Sequence, residues 1–406
     1  MNLFDQTFDR RNSNSTKWDK AETLFAENVL PMWVADMDYP SPQPVIDALR
    51  ERVQTGFFGY HFPPESLYQA IIEKMASQYD WKVEKEWIVF SPGVINAIQA
   101  ALGILTIPGD EVIVQPPVYY PFFGAIASKG CRRLDNPLKR KETHYEMDFD
   151  QLRTLFEPSF QFPARDPRIR ALILCSPHNP VGRVWTSKEL ASLAEICLDH
   201  DCALISDEIH CDLMVGQRRH QVLAQLAPEI EAKTITLMST SKTFNTPGLN
   251  ASFVIIPNAS WRQRFIQAAK VQGGVNVLGL TAMEAALSEG AHYLNQLLDH
   301  LKRNIAEFAK GIEECPNLQL IPPEGTYLAW VDMRQLQLDD RQLKDFMLHD
   351  ARIATDYGYV FGPGGEGFQR FNLATSRSII DEAVRRLKSA AEKRDSFGSR
   401  IGRLRK

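Results

Sequence analysis

Lys242 ends the run Ser239-Thr240-Ser241-Lys242, directly after the apolar stretch Thr234 to Met238. An amine there can add to a carbonyl carbon and afterwards act as a base. The plainer reading is a surface lysine in a polar loop. Asp207 closes another apolar stretch, Cys202 to Ser206. Its carboxylate can pair with a cationic group, or merely cap a following helix. Asn179 lies in Ser176-Pro177-His178-Asn179-Pro180-Val181-Gly182, where Pro180 and Gly182 punctuate a turn that the asparagine can serve by itself. Gly93, Val94 and Ile95 open a helical pattern after a strand-like run. Backbone N–H groups in that position can receive a phosphate, although one glycine at a helix start is a weak signal. Ser239 and Ser241 offer hydroxyls to the same kind of group. Arg370 can clamp a carboxylate along two parallel hydrogen bonds, or simply pair with a surface acid. Tyr119 can stack on a flat ring or belong to a core, and its neighbour Tyr120 can do the same.

These residues are spread over most of the chain, so a fold must gather them. Trp87 to Phe90, Glu111 to Gln115, Arg170 to Cys175, Cys202 to Ser206, Thr234 to Met238 and Ser252 to Ile256 read as strands. Helical patterns at Gly93 to Leu105, Tyr119 to Lys129 and Ser187 to His200 alternate with them. Runs such as Ala171-Leu172-Ile173-Leu174 are apolar at consecutive positions, as strands covered on both faces require. The alternation predicts an α/β architecture with a mostly parallel sheet. Ligands of such sheets bind at the carboxyl ends of the strands. Ser91-Pro92-Gly93, Gln115-Pro116-Pro117, Ser176 to Pro180, Asp207 to His210 and Ser239 to Lys242 all fall there. Their convergence is the main argument from the residues for a single site.

Residues 1–45 are irregular and rich in Pro, Asn and Asp. Beyond about residue 290 the pattern changes to a long helix from Ala291 to Glu314, a strand at Tyr327 to Val331, a helix at Asp340 to His349, a strand at Arg370 to Leu373 and a helix at Ile379 to Lys393. We read an N-terminal arm (1–45), a large α/β domain (46–290), a smaller α+β domain (291–395) and a solvated basic tail (396–406). With 46 basic and 50 acidic residues the net charge is −4, which leaves no broad field for nucleic acid or an anionic membrane. No long apolar stretch reads as a membrane span, and Met1 to Arg11 lacks the apolar segment of a secretory signal. The six cysteines form no Cys-x-x-Cys pair and read as reduced, buried thiols of a cytoplasmic protein, with no metal site expected.

In this order and spacing, the strand-end segments resemble the fold-type I pyridoxal 5′-phosphate enzymes of the class I/II aminotransferase superfamily, over nearly the whole chain. More narrowly, the chain is similar to the MalY/PatB-type cystathionine β-lyases. The segments that carry this are Met32-Trp33-Val34-Ala35-Asp36-Met37-Asp38, Phe58-Gly59-Tyr60, Asp207-Glu208-Ile209-His210, Ser241-Lys242-Thr243-Phe244-Asn245, Pro323 to Trp330 and Arg370-Phe371-Asn372. The resemblance implies the aminotransferase fold, with a seven-stranded-type sheet in the large domain. It implies that Lys242 holds the cofactor aldehyde as an imine and later moves the Cα proton. Asp207 would pair with the pyridine nitrogen, Asn179 with the phenolic oxygen, and Tyr119 would stack on the ring. Gly93, Val94, Ile95, Ser239 and Ser241 would hold the phosphate, with His210 also at the cofactor. Arg370 would clamp the substrate α-carboxylate, with the backbone of Ala35 and Asp36 beside it. Tyr60 would reach the phosphate of a partner subunit, which implies a homodimer with its sites at the interface.

The implied reaction is cleavage of L-cystathionine or another cysteine S-conjugate to a thiol, pyruvate and ammonia. An amino acid aminotransferase is the alternative, and a regulatory role in binding a protein partner is a second job of another class. Two positions depart from the commoner pattern of the superfamily. Asn250 stands eight positions after the lysine, where many relatives carry a basic residue, and His210 stands where many transaminases have tyrosine.

Overall fold

Strands β1 (Ile88–Ser91), β2 (Glu111–Val114), β3 (Arg132–Asp135), β4 (Ile169–Cys175), β5 (Ala203–Asp207), β6 (Thr234–Met238) and β7 (Ser252–Ile255) pair into one sheet, ordered β1-β7-β6-β5-β4-β2-β3. The computed structural model describes residues 3–157, 169–271 and 273–404, with side chains through 394. From β6 to β3 every pairing is parallel, while β7 runs antiparallel to both β1 and β6. The apolar runs explain why. In β4, Ala171, Ile173 and Cys175 join Ala97, Ile98 and Ala101 of the helix Val94–Leu105. Leu172 and Leu174 point the other way, onto Leu190, Leu193 and Cys197 of the helix Ser187–Asp199. Alternate side chains leave opposite faces, so an unbroken apolar run needs helices on both sides.

Strand β3 escapes the sequence reading because Arg132-Arg133-Leu134-Asp135 lies at the sheet's edge and carries no apolar run. The helices Gln43–Gln54, Glu65–Tyr79, Ala259–Val271 and Val277–Glu289 also lie outside the expected elements. The helix expected from Tyr119 starts instead at Pro121, where the proline occupies the first turn. The last helix runs from Arg377 to Leu404, well past the expected end at Lys393 and into the segment read as a tail.

A second sheet contains β8 (Gln319–Ile321), β9 (Leu328–Asp332), β10 (Asp356–Tyr357) and β11 (Phe368–Asn372), in the antiparallel order β8-β9-β11-β10. Ala329, Val331 and Phe371 face the helices Ala291–Glu313 and Arg377–Leu404 through Phe308, Ile312, Ile380 and Leu387. The opposite face presents Trp330 and Phe368 to the core shared with β4. Arg370 lies two residues from Phe368, so the same alternation turns it toward the large sheet.

The N-terminal segment threads between these parts. Leu30–Pro31 pairs in parallel with Ile353–Ala354. Asn372 then donates through Nδ2 to the carbonyls of Val34 and Asp36, at 2.6 and 2.5 Å. From the other side, Asn245 accepts from Met37 N at 3.0 Å and donates to Tyr39 O at 2.6 Å. Charged residues of the arm are buried here. Lys17 Nζ donates to Asp38 Oδ2 at 2.8 Å, with side-chain exposures of 1% and 3%. Burial pushes the Asp38 carboxyl up, but Lys17 and Trp18 hold it below the usual carboxylate range. Removing one partner of a buried pair leaves the other charge poorly compensated, at about 3 kcal/mol for Lys17→Met, since Arg10 still reaches Asp38 Oδ1 at 3.2 Å. Denaturant unfolding should show that loss. An unchanged unfolding free energy would mean that Arg10 suffices alone.

Candidate active site

One cavity opens at the carboxyl ends of the strands, and most of the candidate residues line it. Gly93, Val94 and Ile95 come from the end of β1, and Tyr119 from the segment after β2. Asn179 follows β4, Asp207 closes β5 with His210 just beyond, and Ser239, Ser241 and Lys242 follow β6. Ala35 enters from the N-terminal segment.

Lys242 Nζ donates to the Ala35 carbonyl at 2.7 Å. Burial, reinforced by Arg370, lowers its ammonium to about 8. An appreciable fraction is therefore the neutral, nucleophilic amine at physiological pH. Tyr327 donates to the same carbonyl at 3.0 Å. Asp36 Oδ2 accepts from Arg10 at 2.9 Å, while its Oδ1 is buried without a partner.

Asp207 is buried, and its Oδ1 accepts the Ile209 N–H at 3.1 Å. Its other oxygen has no protein donor among the described residues. Burial raises its carboxyl to about 7. The next residue points to the opposite side: Glu208 accepts from His220 at 2.6 Å, Ser206 at 2.7 Å and Leu223 N at 3.2 Å, which anchors the loop after β5. His210 is buried with Nδ1 unpartnered, and burial lowers it to about 3, so it is neutral.

Asn179 receives Arg370 Nη1 on Oδ1 at 3.0 Å, and its own N–H meets Cys175 Sγ at 3.3 Å. Its turn is clamped from the second sheet. Gly182 has φ 72°, and a Cβ there would meet Pro323 at 2.8 Å. The Gly182 carbonyl accepts from both Glu324 N and Gly325 N, at 2.8 and 3.0 Å. Tyr119 lines the cavity, whereas Tyr120 is 42% exposed and does not. That assigns the wall to Tyr119, whose burial raises its hydroxyl to about 12.

The helix Val94–Leu105 begins without a side-chain cap, so its first N–H groups are open to an anion. Ser241 Oγ lies 2.9 Å from Ser239 Oγ beside it. Asn250 also lines the cavity, and among the described residues Lys242 is the one lysine or arginine lining it. The uncapped helix and the hydroxyls, a buried carboxylate with a free oxygen, an unpartnered imidazole nitrogen and an enclosed amine together fit pyridoxal 5′-phosphate. Tyr60 does not reach this cavity. It is fully exposed, among the exposed rings of Phe57, Phe58 and Phe62.

Asn245, Asn372, Tyr327 and Asp356 hold or adjoin the site and were not singled out for it from the sequence. Asn245, Asn372 and Tyr327 lie in segments that carried the resemblance but were given no role of their own, and Asp356 drew no attention at all.

Residues 27–387 match the family model described as aminotransferase class I and II. The chain is 39% identical to cystathionine beta-lyase PatB of Bacillus subtilis, over 95% of this chain and 99% of that protein. It is 31% identical to protein MalY of Escherichia coli, over 94% and 96%. Among solved structures it superposes on cystalysin from Treponema denticola, which contains pyridoxal 5′-phosphate, with TM-score 0.91 and 35% identity over 96% and 98% of the two chains. The pyridoxal-phosphate-bound C-S lyase of Staphylococcus hominis gives TM-score 0.88 and 31% identity over 96% and 97%.

Proposed function

The chain belongs to the class I and II aminotransferase family, and from that premise we propose that it is a pyridoxal 5′-phosphate-dependent carbon–sulfur β-lyase. Its substrates would be L-cystathionine or another cysteine S-conjugate and one water, and its products a thiol, pyruvate and ammonia. The observation that carries the reading is a lysine amine enclosed in one cavity with a buried carboxylate, beside an arginine.

When bound, pyridoxal phosphate supplies an aldehyde that captures the substrate amine and an electron-withdrawing ring that loosens the Cα proton. Lys242 would provide the amine that holds the cofactor and the base that takes that proton. Asp207 would keep a proton on the ring nitrogen, and Asn179 and His210 would hold the ring's polar edge. Tyr119, which lines the cavity, would cover one ring face. The N–H groups at Gly93, Val94 and Ile95, with Ser239 and Ser241, hold the phosphate without help from Asn250. Arg370 binds the α-carboxylate. A thioether would suit this chemistry better than an unactivated side chain, because a thiolate is a good leaving group next to a carbon that has lost its proton.

We also infer a homodimer. Phe57 (77% exposed), Phe58 (56%) and Phe62 (85%) flank Tyr60 along the chain, and such a run of exposed aromatic residues favours a partner. A second copy there would let Tyr60 complete the neighbouring phosphate site. We keep the division near residues 45 and 290, and a cytoplasmic location, as part of this proposal, while the helix Arg377–Leu404 removes the boundary at 395.

Incubation with L-cystathionine and pyridoxal phosphate, with no 2-oxo acid present, is expected to release pyruvate and homocysteine in equal amounts. Turnover that strictly requires 2-oxoglutarate would make the protein an aminotransferase instead.

A further inference from the structure

Arg370 is already occupied. Its Nη1 donates to Asn179 Oδ1 at 3.0 Å, and its Nη2 donates both to the Trp33 carbonyl at 3.1 Å and to Asp356 Oδ2. Nε is buried without a partner, and the ring of Phe361 lies 5.0 Å from the guanidinium. A guanidinium can grip a carboxylate bidentately along two edges, Nε with Nη2 or Nη1 with Nη2. Both edges need Nη2, and both Nη2 protons are committed. A substrate carboxylate can therefore take either edge only by releasing Trp33 or Asp356.

The two contacts differ in how easily they yield. The Trp33 carbonyl belongs to a backbone stretch pinned on each side, since Asn372 N donates to Met32 O at 2.8 Å and Asn372 Nδ2 to Val34 O at 2.6 Å. Asp356 reaches across from β10, a two-residue edge strand, where it stands directly opposite Arg370 in the register. Its hold depends on side-chain torsions alone, and an incoming carboxylate repels it. Burial lifts its carboxyl above the usual range despite Arg370, so its ionised form is weakly held.

We propose that Asp356 is a specificity-determining residue of the carboxylate subsite: it occupies Arg370 in the free protein and is displaced when a substrate carboxylate binds. The proposal rests on the role given to Arg370 above. Its consequence is discrimination. A simple carboxylate must displace Asp356 with nothing gained elsewhere, whereas an amino acid also gains the capture of its amine. The site thereby stays open in the presence of ordinary carboxylic acids.

Calorimetric titration of the holoenzyme with propionate, and with uncharged propionamide as control, tests this. Asp356→Asn keeps an oxygen for Nη2 but removes the charge, and Asp356→Ser removes both. Propionate is expected to bind at least about tenfold tighter to Asp356→Asn, with propionamide unaffected. In an Arg370→Met background the same change should have no effect. Unchanged or weaker propionate binding in both Asp356 variants overturns the proposal, as does no propionate binding to any of the proteins. Pyruvate release from cystathionine, measured on the same preparations, separates the two readings. Tighter propionate binding without pyruvate would refute the lyase and leave Asp356 as proposed. Pyruvate with no Asp356 effect would do the reverse.

Discussion

Lys242→Ala is expected to lower turnover by about 10⁴-fold or more and to abolish the absorbance near about 420 nm that pyridoxal phosphate shows when held by a lysine. No neighbour can replace the amine. His210 is held neutral by burial, with its pKa down at about 3, so it is a feeble base. Tyr119 keeps its proton up to about 12. The same burial that lowers Lys242 to about 8 sets a pH signature in the intact protein. Only the neutral amine attacks an aldehyde, so the rate at which apoprotein captures pyridoxal phosphate should climb toward about pH 8 and level off above it. An ordinary lysine would keep gaining to pH 10 and beyond, as its usual value of about 10.4 requires. Partial return of turnover in Lys242→Ala with added methylamine would show that the fold is intact and only the amine is missing. Substantial turnover without any added amine would remove Lys242 from the centre of the reaction, and a capture midpoint near pH 10 would mean that the lysine is solvated.

How much of this was legible in the sequence depends on what kind of signal each residue leaves. The sheet was readable because β4, β5 and β6 are buried on both faces and so are written as unbroken apolar runs. The ends of those runs drew attention to Asp207 and Lys242, whose roles came from the resemblance and not from the runs themselves. Strand β3 left no such run, being an edge strand of two arginines, a leucine and an aspartate. Tyr119 and Tyr120 could not be told apart by type, because only the path of the chain before Pro121 decides which ring faces the cavity. Contacts made by register or by distant loops were silent. Asp356 looks like any turn aspartate until β10 pairs with β11 and sets it opposite Arg370. The Ala35 carbonyl lies 207 residues from the lysine it meets, and nothing local marks it as an acceptor. The arm read as irregular for a similar reason: its order comes from Lys17, Arg10 and Trp18 converging on Asp38 rather than from a repeating pattern.

Asp207→Asn should cost roughly 10²- to 10³-fold in kcat while leaving the fold intact, because it removes a fixed charge where the reaction needs one. The amide keeps the shape and can still accept the Ile209 N–H, but it cannot hold a proton on a ring nitrogen. The apoprotein provides an independent check with the opposite sign. Burial raises Asp207 from 3.8 to about 7, so the folded chain holds a proton there that the unfolded chain has released. The stability tied to that proton is fully present below about pH 4 and is lost as pH rises through about 7. Asn carries no such charge. The variant apoprotein should therefore melt like the parent near pH 4 and at a higher temperature than the parent at pH 8. With pyridoxal phosphate bound, a cationic ring nitrogen would compensate the Asp207 charge, and the advantage should disappear or reverse. A stability difference that does not change with pH would mean that water, not protein, surrounds the carboxylate. Full kcat in the variant would mean that the ring nitrogen needs no ionised partner, and the mechanism would then lack its electron sink.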